Sequence, residues 1–329
     1  MFAIIKTRTS VPILWEEIRL TALAFDSFCS DYSTEEACIQ ALFQARWPNG
    51  FRCPACGHPN FYTVSSRRLP LYQCASPYCR HQTSITAGTI MEGSRTPLTL
   101  WFRALFLLSQ ISGISSFALS NILKITYKTA WLITHKIRHA MKREEADLPL
   151  TGNIRVETFY YGSPLYSDAR QPLLLGGAQD ECGDPIQIKI HQPNPDHVEL
   201  RYLSIHKDEI IAFIDEHTNG KSVVIKNPYT MKNSGFNRIQ RHVTSWLNDT
   251  FRGIGPKHLQ AYLHEYCFRW NKQGLCLRDV FSRALAACAS TPVLIYRELT
   301  RFRPVLPRPW HAFSSKSKWR GWHLTRWGH

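Results

Sequence analysis

The sequence has no long hydrophobic run and no recognisable leader. No stretch of about 18 or more apolar residues occurs, so the chain is not expected to cross a membrane. The first stretch, "MFAIIKTRTSVPILWEEIRL", begins apolar but is interrupted by Lys6, Arg8, Glu16 and Glu17, and it contains no small-residue cleavage site. We therefore expect a cytoplasmic protein without a membrane partner.

Acidic residues are scarce in comparison with basic ones. The chain has 25 Asp and Glu residues against 40 Lys and Arg residues, which gives a formal net charge of +15 and a pI near 9.5. This excess favours an anionic partner such as nucleic acid, and a basic soluble protein without such a partner is the alternative. With 329 residues, 44% of them hydrophobic, the chain is long enough for two or three globular domains.

The chain contains ten cysteines, and four of them form two close pairs. Cys53 and Cys56 lie in "CPACGH", and Cys74 and Cys79 lie in "CASPYCRH". This C-x2-C…C-x4-C pattern predicts a structural zinc site, because four thiolates complete a tetrahedral shell and leave no open position for catalysis. His58 and His81 are alternative ligands next to the pairs. The other cysteines show no such pairing and are expected to be core or surface thiols: Cys29, Cys38, Cys182, Cys267, Cys276 and Cys288.

The segment after the cysteines has helical periodicity. "TLWFRALFLLSQISG" carries apolar residues at three- and four-residue spacing, "SSFALSNILKI" begins with serines suited to an N-cap, and "TYKTAWLITHKIRHAMKR" adds a basic face. Two short helices before a basic one are typical of a helix-turn-helix, whose last helix enters the major groove. A helical bundle with a solvated basic face is the alternative. The candidate DNA-binding cations are Lys128, Lys136, Arg138, Lys142 and Arg143.

The middle of the chain predicts a sheet. "PLLLGGAQDE", "DPIQIKIHQ" and "KSVVIK" are typical of strands, and the first two suit a hairpin around "ECGD". "KDEIIAFIDEHTNG" predicts a helix that Gly220 closes. Strands and helices in this order indicate an α/β or α+β layer.

Three parts of the sequence resemble a known family. These parts are the stretch "STEEACIQALFQARWPNGFRCPACGH", the stretch from "YQCASPYCRH" to "THKIRHAM", and "PKHLQAYLHEYCFRWNKQ". Together they are similar to insertion-sequence transposases that carry an N-terminal zinc ribbon. The resemblance runs from about Ser33 to Thr300 and implies a multidomain α+β or α/β protein. The segments that it implies are the zinc ribbon with its preceding helix at 33–90, a helix-turn-helix-like segment at 91–145 and an RNase H-like DDE domain at 150–300. An N-terminal extension at 1–32 and a basic aromatic tail at 301–329 lie outside the family pattern.

The resemblance also assigns catalytic positions. In such enzymes acidic side chains hold two Mg²⁺ ions that activate the attacking oxygen and stabilise the leaving one. "IRVETFYYG" aligns with the first family motif and places Glu157 on its Asp, with Arg155 and Thr158 at two further positions of that motif that are usually polar or acidic. The second acid position is Lys226, whose ammonium group cannot ligate Mg²⁺. The last family Glu matches Glu265.

A third family position is variable and falls between Asn237 and His242. It lies in a segment that is shortened in comparison with the family pattern.

Three functional hypotheses follow. In the first, the protein binds double-stranded DNA at the terminal inverted repeats of an insertion sequence, as a homo-oligomer, and has impaired or lost strand cleavage and joining. In the second, it is an active Mg²⁺-dependent DDE transposase. In the third, it is a zinc-ribbon transcription factor. The tail mixes cations with Trp310, Trp319, Trp322 and Trp327, which predicts either contact with single-stranded nucleic acid or an unfolded terminus without function.

Overall fold

A computed structural model describes residues 23–64, 69–162, 170–219, 222–226, 235–301 and 303–306. The side chain of Lys226 and nearly all of the predicted tail lie outside these described residues, as does Gly220. The architecture is mixed α+β with several sheets and more than one compact unit, as predicted from the sequence. Within the described residues, no helix combines the length and apolarity needed to cross a bilayer.

The chain divides into two compact units. The first consists of Met1–Ile85 with Ser94–Leu107, and the second consists of Thr86–Gly93 with Leu108–His329. The five-segment division expected from the sequence stays a prediction.

The first unit combines helices with a small antiparallel sheet. Its helices are α1 (residues 23–31), α2 (Glu35–Arg46) and most of α3 (Leu98–Ser109). Its sheet has the order β1 (Phe61–Val64), β2 (Leu71–Cys74) and β3 (Gln82–Ser84).

An aromatic cluster forms the interior of this first sheet region. The ring centroids of Trp47 and Phe51 lie 4.9 Å apart, those of Phe51 and Phe61 4.7 Å, and those of Phe61 and Tyr72 5.1 Å. Aromatic side chains bury a large area each, so a few of them provide a core where the strands are only three or four residues long.

The described helices of the second unit are α4 (Ser116–Leu123), α5 (Tyr127–Ala146), α6 (Lys207–His217), α7 (Gly235–Phe251), α8 (Pro256–Trp270), α9 (Leu277–Ser290) and α10 (Tyr296–Leu299). Two of them, α4 and α5, begin at hydroxyl caps. The Ser115 hydroxyl accepts a hydrogen bond from the Ala118 amide, and the Thr126 hydroxyl accepts one from the Thr129 amide. The serine cap predicted for α4 is therefore confirmed.

A four-stranded mixed sheet lies at the centre of the second unit. Its order is β6 (Pro185–His191), β5 (Gln171–Gln179), β4 (Asn153–Tyr161) and β9 (Ser222–Lys226), with β9 parallel to β4 and the other pairs antiparallel. The strands and the β5–β6 hairpin predicted from the sequence are confirmed. The short strands β7 (Val198–Glu199) and β8 (Ser204–Ile205) form a separate antiparallel pair.

Helices cover both faces of this sheet. On one face, side chains of α7 and α8 pack against Phe159, Leu173 and Ile188. On the other face, Phe213 of α6 packs with Ile154 and Val156.

Two adjacent glycines in β5 permit the close approach of these helices. A Cβ atom on Gly176 would lie 2.7 Å from the Phe213 ring, and one on Gly177 would lie 2.8 Å from the Phe236 ring. Because successive residues of a strand face opposite sides of the sheet, each glycine makes room for one helix layer.

Candidate zinc centre and candidate nuclease site

The four paired cysteines converge in the first unit. Their sulfur atoms all lie within 4.8 Å of one another. The Cys53 and Cys79 sulfurs are 3.8 Å apart, and those of Cys56 and Cys74 are 3.6 Å apart. Four sulfurs at ~2.3 Å from a zinc ion would lie about 3.8 Å from one another in a tetrahedron. The donor set therefore fits zinc.

Both cysteine pairs sit on turns that close in the same way. The Cys53 amide donates to the His58 carbonyl at 3.0 Å, and the Cys74 amide donates to the His81 carbonyl at 2.9 Å. In each turn the residue after the second cysteine has positive φ, +75° at Gly57 and +47° at Arg80. The two extra residues between Cys74 and Cys79 thus leave the closing hydrogen bond intact.

The surroundings of the sulfurs shift the pKa values of two thiols in opposite directions. Burial alone would raise the pKa of the Cys53 thiol, but hydrogen bonds from the backbone amides of Ala55 and Cys56 outweigh it and lower the pKa to about 7. Burial raises the pKa of Cys74 to about 12. Because zinc binds the thiolate form, the cation would have to overcome this burial at Cys74.

Within the described residues, the candidate metal cluster includes none of the remaining cysteines, which agrees with the expectation of core or surface thiols. Cys38, Cys267 and Cys288 are buried, whereas Cys182 and Cys276 are exposed.

Glu157 occupies the middle of β4 and is 2% exposed. One of its carboxylate oxygens, Oε1, accepts a hydrogen bond from the Arg155 guanidinium, and the other, Oε2, accepts one from Nε2 of Gln240 at 3.0 Å. The Arg155 guanidinium also lies 4.8 Å from the centroid of the Phe236 ring. Both oxygens of this carboxylate are therefore bound by protein donors.

Lys226 is the direct neighbour of Glu157 in the sheet. The parallel pairing of β4 with β9 places the backbone of Lys226 in register with that of Glu157. The sequence alignment thus predicted two positions that the fold brings side by side.

Gln240 falls within the interval from Asn237 to His242 that the sequence left open for the third position, and it is the residue there that contacts Glu157. His242 instead hydrogen-bonds through Nδ1 with the Tyr266 hydroxyl, at 2.8 Å.

Glu265 on α8 has different partners from Glu157. Its Oε2 accepts from Nε of Arg138 at 2.6 Å, and both side chains are 0% exposed. Its Oε1 lies 3.6 Å from Nη2 of Arg269. The structure therefore brings Glu265 together with a cation of α5 and a cation of its own helix, whereas Glu157 is bound by residues of β4 and α7.

The five predicted DNA-binding cations of α5 differ in solvent exposure. Lys128, Lys142 and Arg143 are exposed. Lys136 is 6% exposed and donates from Nζ to the Ile90 carbonyl at 3.1 Å, and Arg138 is 1% exposed. The basic face predicted for α5 therefore does not include Lys136 and Arg138, because all residues from 133 to 138 are buried.

Sequence reasoning missed a buried polar network at the end of α8. The Lys272 ammonium lies 2.6 Å from Oε1 of Glu145, and Nδ2 of Asn271 donates to Oε2 of Glu145 at 2.6 Å. Asn271 also exchanges two hydrogen bonds with the backbone of Ile188 on β6. These contacts tie α5, α8 and the edge of the sheet together.

Arg269 has a comparable role in the connection between α3 and α4. Its guanidinium donates to the carbonyls of Gln110 and Ile111, and Nε1 of Trp246 donates to the Ser112 carbonyl at 2.8 Å. The sequence signal for this anchor is the family-like segment "PKHLQAYLHEYCFRWNKQ", which contains Arg269.

Comparison with known proteins gives two similarities. Residues 33–82, which include all four paired cysteines, match the family described as Transposase zinc-ribbon domain. The chain is also 26% identical over 131 residues to an uncharacterised protein in the transposable element ISH50 of Halobacterium salinarum, a match that covers 39% of this chain and 42% of that relative. The chain thus matches less than half the length of that relative. No solved structure matches the chain. Together, the zinc-ribbon match, the transposable-element relative and the four-cysteine cluster support an insertion-sequence transposase-like protein with a structural zinc site.

Proposed function

We propose that this protein is a DNA-binding, transposase-like protein of an insertion sequence that has lost most or all DNA strand cleavage and joining. The proposed loss of cleavage is supported by the residues at the predicted acid positions and by their contacts. Glu157 has both carboxylate oxygens bound by Arg155 and Gln240, and its register neighbour on β9 is Lys226.

Mg²⁺ does not fit these residues. The ion needs several oxygen ligands in near-octahedral geometry, and the donors around Glu157 are a guanidinium and an amide N–H. Glu265 is neutralised by the buried cations Arg138 and Arg269.

The fold supports the RNase H-like assignment of this domain. It has a mixed sheet covered by helices on both faces, and Glu157 lies on β4, which is flanked by β5 and β9. A fold does not by itself determine the chemistry, which depends on the residues of the site. The protein thus keeps the framework of such a nuclease with altered residues at the acid positions.

DNA binding is supported by charge and by the zinc ribbon. The formal net charge of +15 favours a polyanionic partner, and the exposed first turn of α5, with Tyr127 and Lys128, remains accessible. In a helix-turn-helix the N-terminal residues of the recognition helix contact the base edges. The proposed DNA ligand is the terminal inverted repeat of the element, bound by a homo-oligomer.

The test measures binding and cleavage separately. Fluorescence anisotropy with duplexes from both ends of the flanking element, against a shuffled duplex, measures specific binding. A plasmid carrying both ends, incubated with Mg²⁺ or Mn²⁺, measures cleavage and joining, with Glu157→Gln as the matched variant. We expect specific binding without metal-dependent products. Cleavage that Glu157→Gln abolishes would overturn the proposed loss of activity, and equal affinity for both duplexes would overturn the proposed recognition.

A further inference from the structure

A cavity of about 180 Å³ lies in the second unit between α5, α8 and the segment that follows α9. It is smaller than the ~300–1,000 Å³ of pockets for drug-sized ligands, so a small group fits it best. Its lining is rich in nitrogen donors and includes His135, His139, His258, His264, Lys142 and Arg303.

The electrostatic character of this cavity is positive. Lys142 and Arg303 are exposed cations on its wall, and Glu298 is the acid on its lining. The Glu298 carboxylate already accepts a hydrogen bond from the Ile295 amide, at 2.9 Å. Such a surface repels metal cations and attracts a small anion.

The histidines contribute neutral imidazoles. Burial, followed by the charges of Arg138 and other neighbouring groups, lowers the pKa of His135 to about 2, and burial with the charge of Lys257 lowers that of His258 to about 4. A neutral imidazole offers one N–H donor, so these rings can bind an anion by hydrogen bonds without carrying charge.

In the described part of the chain, buried nitrogen atoms of two lining residues have no hydrogen-bond partner. Arg138 and His135 are 1% and 3% exposed. Within the part of the chain that the structure describes, Nη1 and Nη2 of Arg138 and Nε2 of His135 have no hydrogen-bond partner. Buried polar groups are nearly always hydrogen-bonded, so these atoms point to a ligand rich in acceptor oxygens.

Aromatic side chains continue from the cavity towards the surface. The Trp131 ring lies 4.1 Å from that of His135 and 6.0 Å from that of Tyr296, which is 51% exposed. Nζ of Lys128 lies 5.8 Å from the centroid of the Tyr296 ring. Alternating cations and aromatics are typical of surfaces that hold nucleotides by phosphate contact and base stacking.

We propose that this cavity binds a phosphate group, with Lys142 and Arg303 supplying charge and the histidines and Arg138 supplying hydrogen bonds. A phosphate presents several acceptor oxygens within a small volume, which matches both the size and the donors. The group is either free, as inorganic phosphate or a mononucleotide, or the 5′-terminal phosphate of a nucleic-acid strand.

The experiment measures phosphate binding by equilibrium dialysis of the full chain. The probes are inorganic phosphate, deoxyadenosine monophosphate, and one short single-stranded oligonucleotide with and without a 5′-phosphate. The test variant is Lys142→Gln/Arg303→Gln. The matched control is Arg283→Gln, which removes an exposed cation of α9 that does not line the cavity. All three positions are exposed, and circular dichroism verifies that the variants fold.

We expect the double variant to weaken phosphate binding about tenfold or more, because two charge-assisted hydrogen bonds are lost, and the control variant to leave it within about twofold. Stronger binding of inorganic phosphate or the mononucleotide than of the oligonucleotide identifies a free phosphate as the ligand. Oligonucleotide binding that depends on the 5′-phosphate identifies a strand end as the ligand. Either result supports the cavity. Absence of saturable binding by all probes, or equal weakening by Arg283→Gln, overturns it. Duplex binding without a terminal phosphate is measured in parallel, so failure of the cavity is distinct from failure of DNA recognition.

Discussion

Nε of Arg138 lies 2.6 Å from Oε2 of Glu265, and neither side chain is exposed to solvent. The sequence assigns these residues to different partners, with the arginine expected to contact DNA phosphates and the glutamate expected to hold a metal. In the folded protein each neutralises the other. The Arg138 guanidinium also lies 3.9 Å from the centroid of the Tyr262 ring, which places the pair inside the core between α5 and α8.

Removal of one member of this pair is expected to destabilise the fold. Glu265→Gln leaves the Arg138 charge buried without its counter-ion, so we expect a loss of about 3–5 kcal/mol in the free energy of unfolding. Urea denaturation followed by circular dichroism measures it. Glu216→Gln, at a side chain that is 71% exposed, is the control and should change stability by less than about 0.5 kcal/mol. An unchanged stability of Glu265→Gln would contradict a structural role for the pair.

Replacement of one zinc ligand is expected to release the metal. Cys74→Ser removes a buried sulfur from the four-cysteine cluster, and the remaining three thiolates cannot complete the tetrahedral shell. Zinc content measured by mass spectrometry should fall from stoichiometric to near zero, and the melting temperature should fall with it. Cys182→Ser, at an exposed cysteine outside the cluster, should retain full zinc, and equal zinc loss in both variants would contradict the assigned ligand set.

The cations of α5 are expected to separate into DNA-binding and structural groups. Lys128→Gln and Arg143→Gln remove exposed charges, so each should lower DNA affinity and reduce the slope of log K against log salt by up to about 0.9. Lys136→Met removes a buried ammonium bound to the Ile90 carbonyl, and burial already lowers its pKa. That variant should change stability and leave the salt slope unaltered. Titrations of DNA at several salt concentrations test this, and a reduced slope for Lys136→Met would contradict it.

Restoring a single acid is expected to be insufficient for metal binding. In Lys226→Asp the Glu157 carboxylate stays bound by Arg155 and Gln240, so its oxygens remain unavailable to a cation. We expect Mn²⁺ binding, measured by electron paramagnetic resonance, only when Lys226→Asp is combined with Arg155→Val. Arg238→Val combined with Lys226→Asp is the matched control, because Arg238 pairs with Asp184 on the surface. Mn²⁺ binding by Lys226→Asp alone would show that the Arg155 contact does not block the site.

Acid is expected to destabilise the protein through His135. Its folded pKa of about 2 lies below the ordinary ~6.5 of an unfolded chain. Below pH ~6.5 the unfolded state therefore takes up a proton that the folded state refuses, so stability is full above this pH and falls as the pH decreases. The loss is about 2 kcal/mol at pH 5 for this group. Arg138, His258 and Arg303 face it and act in the same direction.

Urea unfolding at pH 7.5 and pH 5 measures this effect. His135→Gln should reduce the difference between the two pH values, and His206→Gln, at an exposed histidine, should leave it unchanged. An identical pH dependence in His135→Gln would contradict the prediction.

The sequence by itself determined the local features. Cysteine spacing within two turns identified the four zinc ligands, the serine before α4 identified its cap, and the apolar pattern identified β5 and β6. These features depend on residues that are close along the chain, where the covalent backbone fixes their separation. The family resemblance assigned Glu157 and Lys226 to two acid positions of the site, and the parallel register of β4 and β9 places their backbones side by side.

The tertiary structure decided which charges are available. Arg138 and Glu265 are 127 residues apart in the sequence, and Lys272 and Glu145 are also 127 apart, so no local pattern shows that they neutralise one another. A cation on a helix has the same periodicity whether it faces solvent or a packed neighbour. Its partner depends on how α5 packs against α8, and a buried charge must find a counter-ion or a hydrogen bond because leaving water is costly. Because of this packing requirement, Arg138, Lys136 and Glu265 are buried and stabilise the fold. Lys128, Lys142 and Arg143 remain exposed to solvent.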